Sequence, residues 1–286
     1  MQVLDLHTAA LEGIVTRSVA GPGSPNSQAG FYLWLCRVQG SAPVQLVPPA
    51  DAREQVLYGV SGHGRLIDRA GSAALTPLLT RSLPSAGALR LAAEDEGPIE
   101  FLYLASPQRP PSSEADTADL GSMEGIRFPA CRWGRSITNG GSPVKAAGFT
   151  AGLSILSPRG GQVPWHNHPD RQNEVYLLLG GRAEMCIGDQ VREIAPPAAV
   201  FVPGDQWHQV TNLHASEPLH LLYCYEGSVA APHWWQERDG VLPVAARAEA
   251  PALPAGAFPQ CTVTGCDDWK RLAAAHWASR TDAMAR

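Results

Sequence analysis

Short apolar runs, each stopped by glycine, proline or serine, constrain the fold of this chain more than any other feature. Phe31 to Val38, Gln55 to Val60 and Ile99 to Leu104 are aromatic or β-branched, too short for ordinary helices, and bounded by turn-forming residues. A second series follows in Gly148 to Leu156, Glu174 to Leu179, Ala183 to Ile187, Ala199 to Val202, Gln209 to Thr211 and Leu219 to Tyr225. Runs this short at regular intervals predict antiparallel sandwiches or barrels. The 28 glycines and 25 prolines favour turns over long helices in the same way. At 286 residues there is enough chain for two domains, each with its own core.

The segment Ser106 to Asp119 between the two series is polar and proline-rich and reads as a linker. The halves echo each other. Glu54-Gln-Val-Leu-Tyr-Gly-Val-Ser-Gly62 resembles Glu174-Val-Tyr-Leu-Leu-Leu-Gly-Gly181, each a glutamate-led strand ending at a glycine turn. The tail differs. Arg247 to Gln260 is rich in alanine and proline, and Asp267 to Arg280 predicts a helix with acidic residues in its first turn. Trp269, Leu272, Ala273, His276 and Trp277 form one apolar stripe, expected to dock on the chain itself, with a partner subunit as the alternative. Trp234 and Trp235 are expected to anchor the tail.

The chemistry concentrates between Gly160 and Asn212. His166 and His168 are separated by one residue, so in a strand both face the same way. Glu174 opens an apolar run soon after, and His208 follows the turn at Pro203. Three imidazoles and a carboxylate suit an octahedral Fe, Mn, Ni or Co ion with positions left open, or Zn with fewer ligands. Gln172 competes with Glu174 for the fourth place; Glu174 is the expected ligand because it opens the strand. By alternation, Tyr176 and Leu178 face inward with Glu174, while Val175, Leu177 and Leu179 face the opposite sheet. Tyr176 would then stand near the metal as a candidate acid or base, or as simple barrel lining. Val210 and Asn212 share the face of His208, Trp207 takes the other, and Trp165 is expected to pack beside His166. The first half has no His-x-His before Glu54, and its internal histidine, His63, comes after the strand. If the halves are duplicated, only the second has a metal site.

A substrate anion would need a cation. With two lysines against twenty arginines, arginine is the expected clamp; Arg159, Arg171 and Arg182 lie nearest the motif, each in a turn or on the surface. His214, His220 and His233 read as core or surface residues rather than ligands. The net charge of -5 gives no footprint for nucleic acid. No apolar stretch approaches the roughly 20 residues that span a bilayer, and Met1-Gln-Val-Leu-Asp lacks a signal-peptide pattern, so the cytoplasm is expected. Six cysteines without a Cys-x-x-Cys pair are expected to be reduced core residues.

These residues resemble a cupin. That family's first motif places a glycine before His-x-His, then a glutamate, then a turn glycine, and Gly160, His166, His168, Glu174 and Gly181 match it, with a longer gap between His168 and Glu174 than the family pattern has. Its second motif is matched by Pro203, His208 and Asn212, with Asp205 in place of a glycine. The resemblance implies an all-β chain of two jelly-roll barrels plus a short C-terminal helix. Residues 1–105 would be a degenerate cupin without a metal site, 106–126 a linker, 127–230 the metal-binding cupin, and 231–286 an extended tail with a helix near 267–280. It further implies a metal-dependent enzyme acting on a small organic molecule, with an Fe(II)-type dioxygenase as the leading reading. A non-redox isomerase or lyase is the alternative, the metal acting as Lewis acid and Tyr176 moving the proton; in cupin lyases that split dimethylsulfoniopropionate, a tyrosine at this spacing is the implied base. A third reading is small-ligand binding without chemistry. Barrel edges and the terminal helix are compatible with a homodimer.

Overall fold

The computed structural model describes residues 1–5, 13–24, 26–68, 71–83, 89–94, 97–108, 116–120, 126–128, 131–138, 142–168, 172–227, 252–257 and 259. The helix expected near 267–280, Trp234, Trp235, Arg171, His233, Cys261 and Cys266 lie outside them. Every regular element among the described residues is a β-strand. The chain divides into two compact units. One gathers the described residues of 8–123 and 137–150, the other those of 1–7, 124–136 and 151–276.

The first unit carries two antiparallel sheets. The larger contains β2 (Gly13–Ala20), β3 (Tyr32–Gln39), β5 (Glu54–Ser61), β8 (Leu79–Leu83), β10 (Ile99–Ser106) and β11 (Thr117–Asp119), in the order β11-β8-β5-β10-β3-β2. The smaller contains β4 (Val44–Leu46), β6 (Gly64–Asp68), β7 (Gly71–Leu75) and β9 (Leu89–Ala93), in the order β4-β9-β6-β7. Cys36, Val38, Leu57, Leu66, Leu91, Phe101 and Tyr103 lie in the buried core of this unit. Each fully buried Leu, Val or Phe contributes on the order of 1.5–3 kcal/mol.

The second pair of sheets repeats that plan. Its larger sheet runs β1-β19-β16-β21-β14-β13-β12, from β1 (Gln2–Asp5), β12 (Ile126–Phe128), β13 (Arg132–Thr138), β14 (Phe149–Leu156), β16 (Glu174–Gly180), β19 (Ala198–Val202) and β21 (Leu219–Glu226). Its smaller sheet runs β15-β20-β17-β18, from β15 (Gln162–His166), β17 (Ala183–Ile187), β18 (Gln190–Ile194) and β20 (His208–Asn212). Tyr176, Leu178, Met185, Val200, Val210 and Leu221 fill the space between them. The inward set on β16 is therefore the one alternation predicts, and Val175 and Leu177, on the other face, are also fully buried. β1 is a remote addition: Gln2 pairs with Phe201 and Asp5 with Ala198.

The echo between the halves is real but shifted by one residue. Gln55 pairs across the sheet with Leu83 and Ala105, both in the core of the first barrel, so Gln55 faces inward and Glu54 faces out. Counting back from the turn glycines gives the same answer, since Gln55 to Gly62 has the spacing of Glu174 to Gly181. Both glycines have positive φ, 74° and 100°, which a Cβ would strain. Gln55, not Glu54, is thus the counterpart of Glu174. A one-residue slip moves a side chain to the opposite face, and sequence similarity alone does not register it. Glu54 is nonetheless buried, accepting hydrogen bonds from the Ser106 hydroxyl at 2.9 Å and from the backbone N–H of Ala147 and Gly148 at 2.5 and 2.8 Å.

The cysteines divide. Cys36, Cys186 and Cys224 are free and buried, as expected of reduced core residues. Cys131 is disulfide-bonded, contrary to that expectation. It sits in the turn before β13, only partly buried, where another thiol can reach it; the three free cysteines are enclosed in strands.

Candidate metal centre

Four side chains named from the sequence converge inside the second barrel. The ligand-capable atoms of His166, His168, Glu174 and His208 all lie within 4.8 Å of one another, and all four residues are buried. It is the one such group of metal-capable side chains among the described residues. Each arrives by a different local device. β15 ends at His166, and a register shift between Val163 and His166 turns that strand end toward His208, which is its cross-strand partner. Bulges of this kind re-aim side chains beside sites. His168 lies just beyond the strand yet still converges, its ring 5.4 Å from that of His166. Glu174 opens β16 between Val202 and Tyr225. His208 opens β20 after the turn at Pro203, where Gln206 N–H bonds back to the Pro203 carbonyl.

The substitution in the second motif sits away from the converging atoms. Asp205, in place of a glycine, is exposed in that turn. Gln172, the competitor for the fourth place, spends its amide on the Glu226 carbonyl at 2.6 Å. Glu174 Oε2 instead lies 2.9 Å from both His168 Nε2 and His208 Nε2.

The histidines are also oriented for an ion. His166 Nδ1 is 2.6 Å from the Pro164 carbonyl and His208 Nδ1 is 2.9 Å from the Gln206 carbonyl. A carbonyl can only accept, so each Nδ1 carries a proton, and Nε2 is the nitrogen left facing the group, where an ion would be bound. Backbone carbonyls fix imidazole ligands in this way around bound metals. Burial and the neighbouring His208 and His168 hold His166 well below the usual histidine range, so it stays a neutral donor. Burial pushes the Glu174 carboxyl up, but His168 and His208 outweigh it, and the group is held well below the usual carboxylate range. Three imidazoles and an anionic carboxylate in a buried cluster suit a divalent cation.

Phenols surround the group. Tyr176 is fully buried, with its ring 5.8 Å from that of His208. Burial and then the Glu174 charge push its phenol well above its ordinary value. Tyr225 packs 4.9 Å from His168 and stacks on Tyr223, and burial pushes the Tyr223 phenol up to about 12. Trp165 is buried and lies 6.0 Å from Trp207, a ring pair that the sequence reading did not foresee. Asn212 faces the interior and ties strands together, its amide donating to the Leu156 and Glu217 carbonyls.

Two of the three expected arginines lie elsewhere, and Arg171 is outside the described residues. Arg159 donates to the Ala215 carbonyl from a turn, and Arg182 pairs with Glu193 at the surface. One residue escaped the sequence reading. Arg132, at the start of β13, is the buried arginine among the described residues, 5% exposed. Burial lowers its guanidinium to about 10, against the opposing influence of Tyr223, Tyr176 and Glu174, so it remains a cation at neutral pH. No motif surrounds it in the sequence.

The first barrel carries other residues at the same register. The inward pair that corresponds to His166 and His208 is Leu46 and Leu89, directly opposite one another across β4 and β9. Gln55 takes the place of Glu174 and accepts a hydrogen bond from the Tyr103 hydroxyl at 2.9 Å.

The cupin domain model matches residues 152–225, which hold all four converging side chains. A comparison with curated protein sequences finds no match. Among solved structures, the oxalate decarboxylase of Lactobacillus farciminis is similar at 15% identity, covering 78% of this chain and 84% of that one with a TM-score of 0.61. A glyoxylate-induced protein from Pseudomonas aeruginosa is similar at 12% identity, 80% and 85% coverage and a TM-score of 0.61. A Bacillus subtilis oxalate decarboxylase shares 16% identity over 79% of this chain and 76% of its own, with a TM-score of 0.60. Two barrels of one plan, a buried four-residue group in the second, and these likenesses make the chain a bicupin by fold, with a cupin domain in its second barrel.

Proposed function

We propose that the chain is a metal-dependent bicupin enzyme acting on a small organic molecule by proton transfer, as a lyase or isomerase. The observation that carries this reading is the fully buried Tyr176 phenol beside the four-residue group, its ring 5.8 Å from that of His208. His166, His168, Glu174 and His208 would hold a divalent transition metal, which supplies Lewis-acid stabilisation of a developing enolate or carboxylate charge. The raised Tyr176 phenol keeps its proton at neutral pH and can hand it to a carbon or oxygen atom bound beside it. Tyr223 and Tyr225 extend that wall and limit the water reaching the group. The oxalate decarboxylases among the similar structures support a lyase at this fold.

A dioxygenase is the second reading, favoured by the donor set itself, since imidazoles with one carboxylate suit Fe(II). The test is turnover of small organic acids by iron- and manganese-loaded protein with and without oxygen. Oxygen-independent turnover, lost in Tyr176→Phe with metal content retained, is the expected result. Strict dependence on oxygen would overturn the proton-transfer reading in favour of the second.

A cytoplasmic location is proposed from composition, and the bonded Cys131 is the observation that most opposes it, because the cytosol keeps thiols reduced. Among the described residues no helix is long and apolar enough to cross a membrane.

A further inference from the structure

We infer that Tyr223 contacts the substrate, its phenol donating a hydrogen bond to a substrate oxygen, and that Gly152 is the positioning residue that lets the phenol lie there. The inference rests on the metal-dependent reading above and adds a substrate-holding group to it.

Three observations carry it. The first is access. Tyr223 on β21 lies directly across from Tyr176 and so shares its inward face, and β16 and β14 flank its strand on either side. The neighbours on that face are closed off, Leu221 at 0% exposed and Tyr225 and Tyr176 at 1%. Tyr223 itself is partly exposed. A side chain on the inner face of an interior strand can be wetted only through the barrel, so this ring marks where the interior opens to solvent. Of the three phenols around the group, it is the one an incoming molecule meets.

The second is the bare backbone beneath the ring. A Cβ at Gly152 would lie 2.2 Å from the Tyr223 hydroxyl oxygen and 2.3 Å from its Cζ, closer than real Cβ atoms approach a neighbour. Gly152 is not among the glycines with positive φ, so its backbone does not demand glycine. The space does. A glycine inside a strand weakens it and often marks such a close approach, and here it lets the phenol lie over β14.

The third is position within the group. Directly opposite residues of an antiparallel pair have Cβ atoms about 4.5–5.5 Å apart, which sets Tyr223 beside Tyr176. Tyr223 also stacks on Tyr225 at 6.1 Å, and Tyr225 packs 4.9 Å from His168. A substrate oxygen held by Tyr223 therefore lies next to the phenol assigned to move the proton. Phenols keep their proton at neutral pH, so Tyr223 meets that oxygen as a donor.

Hydroxyl-radical footprinting of the purified protein, read by mass spectrometry, tests access without any need for metal. Tyr223 should be oxidised several-fold faster than Tyr176 or Tyr225; equal rates would overturn the inference. Contact is tested by calorimetric binding of glycolate, and of its neutral amide, to cobalt-loaded protein. Tyr223→Phe keeps the ring and removes the hydroxyl, and should weaken binding about fivefold with the cobalt spectrum and stoichiometry unchanged. Gly152→Ala keeps the hydroxyl and displaces it, and should weaken binding comparably. Because both act through one contact, the double variant should bind no more weakly than Tyr223→Phe alone. Binding of both probes unchanged in Tyr223→Phe, or absent from the parent protein, would overturn the contact, and losses that simply add would overturn the role of Gly152. Failure of the metal reading shows separately, as absence of cobalt uptake; the footprint and the same variants then judge Tyr223 on the metal-free protein.

Discussion

Leu46 faces Leu89 across one barrel, and His166 faces His208 across the other. The strand order, the turn glycine and the inward register around these pairs correspond, so the difference is one of side chains on a shared frame. In the first barrel the frame is filled with hydrocarbon and a neutral amide, Gln55, bonded to Tyr103. The second holds imidazoles whose outer nitrogens are already spent on backbone carbonyls. Ordinary packing demands apolar volume at those positions. A cluster of bases and an anion is stable there only with a cation to hold, so the first barrel shows what the second would look like without a site.

Removing a ligand should break the comparison most strongly. His208→Ala is expected to weaken metal affinity by more than about 100-fold, beyond the effect of losing an outer-shell partner. Elemental analysis of protein purified without chelators checks it; metal content equal to the parent would show the four-residue group is not the site. The matching change in the first barrel should behave differently. Leu89→Ala is expected to cost about 2–5 kcal/mol of stability through a core cavity, read from the urea midpoint, while bound metal stays unchanged. A fall in metal content would mean the first barrel contributes to the centre.

The smallest expected effect concerns the two buried glutamates, which shift in opposite directions. Glu174 is held low by its histidines, whereas burial raises Glu54 against the bonds from Gly148, Ala147 and Ser106. A raised carboxyl binds its proton more tightly in the folded state, so its contribution is fully present at low pH and declines as pH rises through the folded value. Glu54→Gln, which does not titrate, should therefore be less stable than the parent by about 1 kcal/mol or more in acid, with the gap narrowing above the ordinary glutamate range. Urea midpoints measured across that range check it, and a gap that widens with pH would contradict the raised value.

What the sequence made legible was whatever depends on local periodicity. His166 and His168 announce themselves by spacing, Glu174 opens its strand, and the inward placement of Tyr176 follows from alternation alone. Long-range facts were invisible. Arg132 became distinctive only when the fold buried it, unlike the other arginines among the described residues. The similarity of Glu54 to Glu174 pointed to the wrong residue, because letters carry no register and a sheet does. Cys131 looked like the other cysteines until its turn separated it from them.

The pairing of Gln2 with Phe201 has a consequence for how the protein is made. Residues 2–5 leave the ribosome long before β19 exists to receive them, and a contact so distant along the chain closes late and slowly. Until then the segment is a loose tether, and the β19 edge it will cover stays open to other strands. The larger sheet of the second barrel, and with it the outer support of Glu174 and Tyr176, is finished only when a segment synthesised far ahead of β19 returns to its edge.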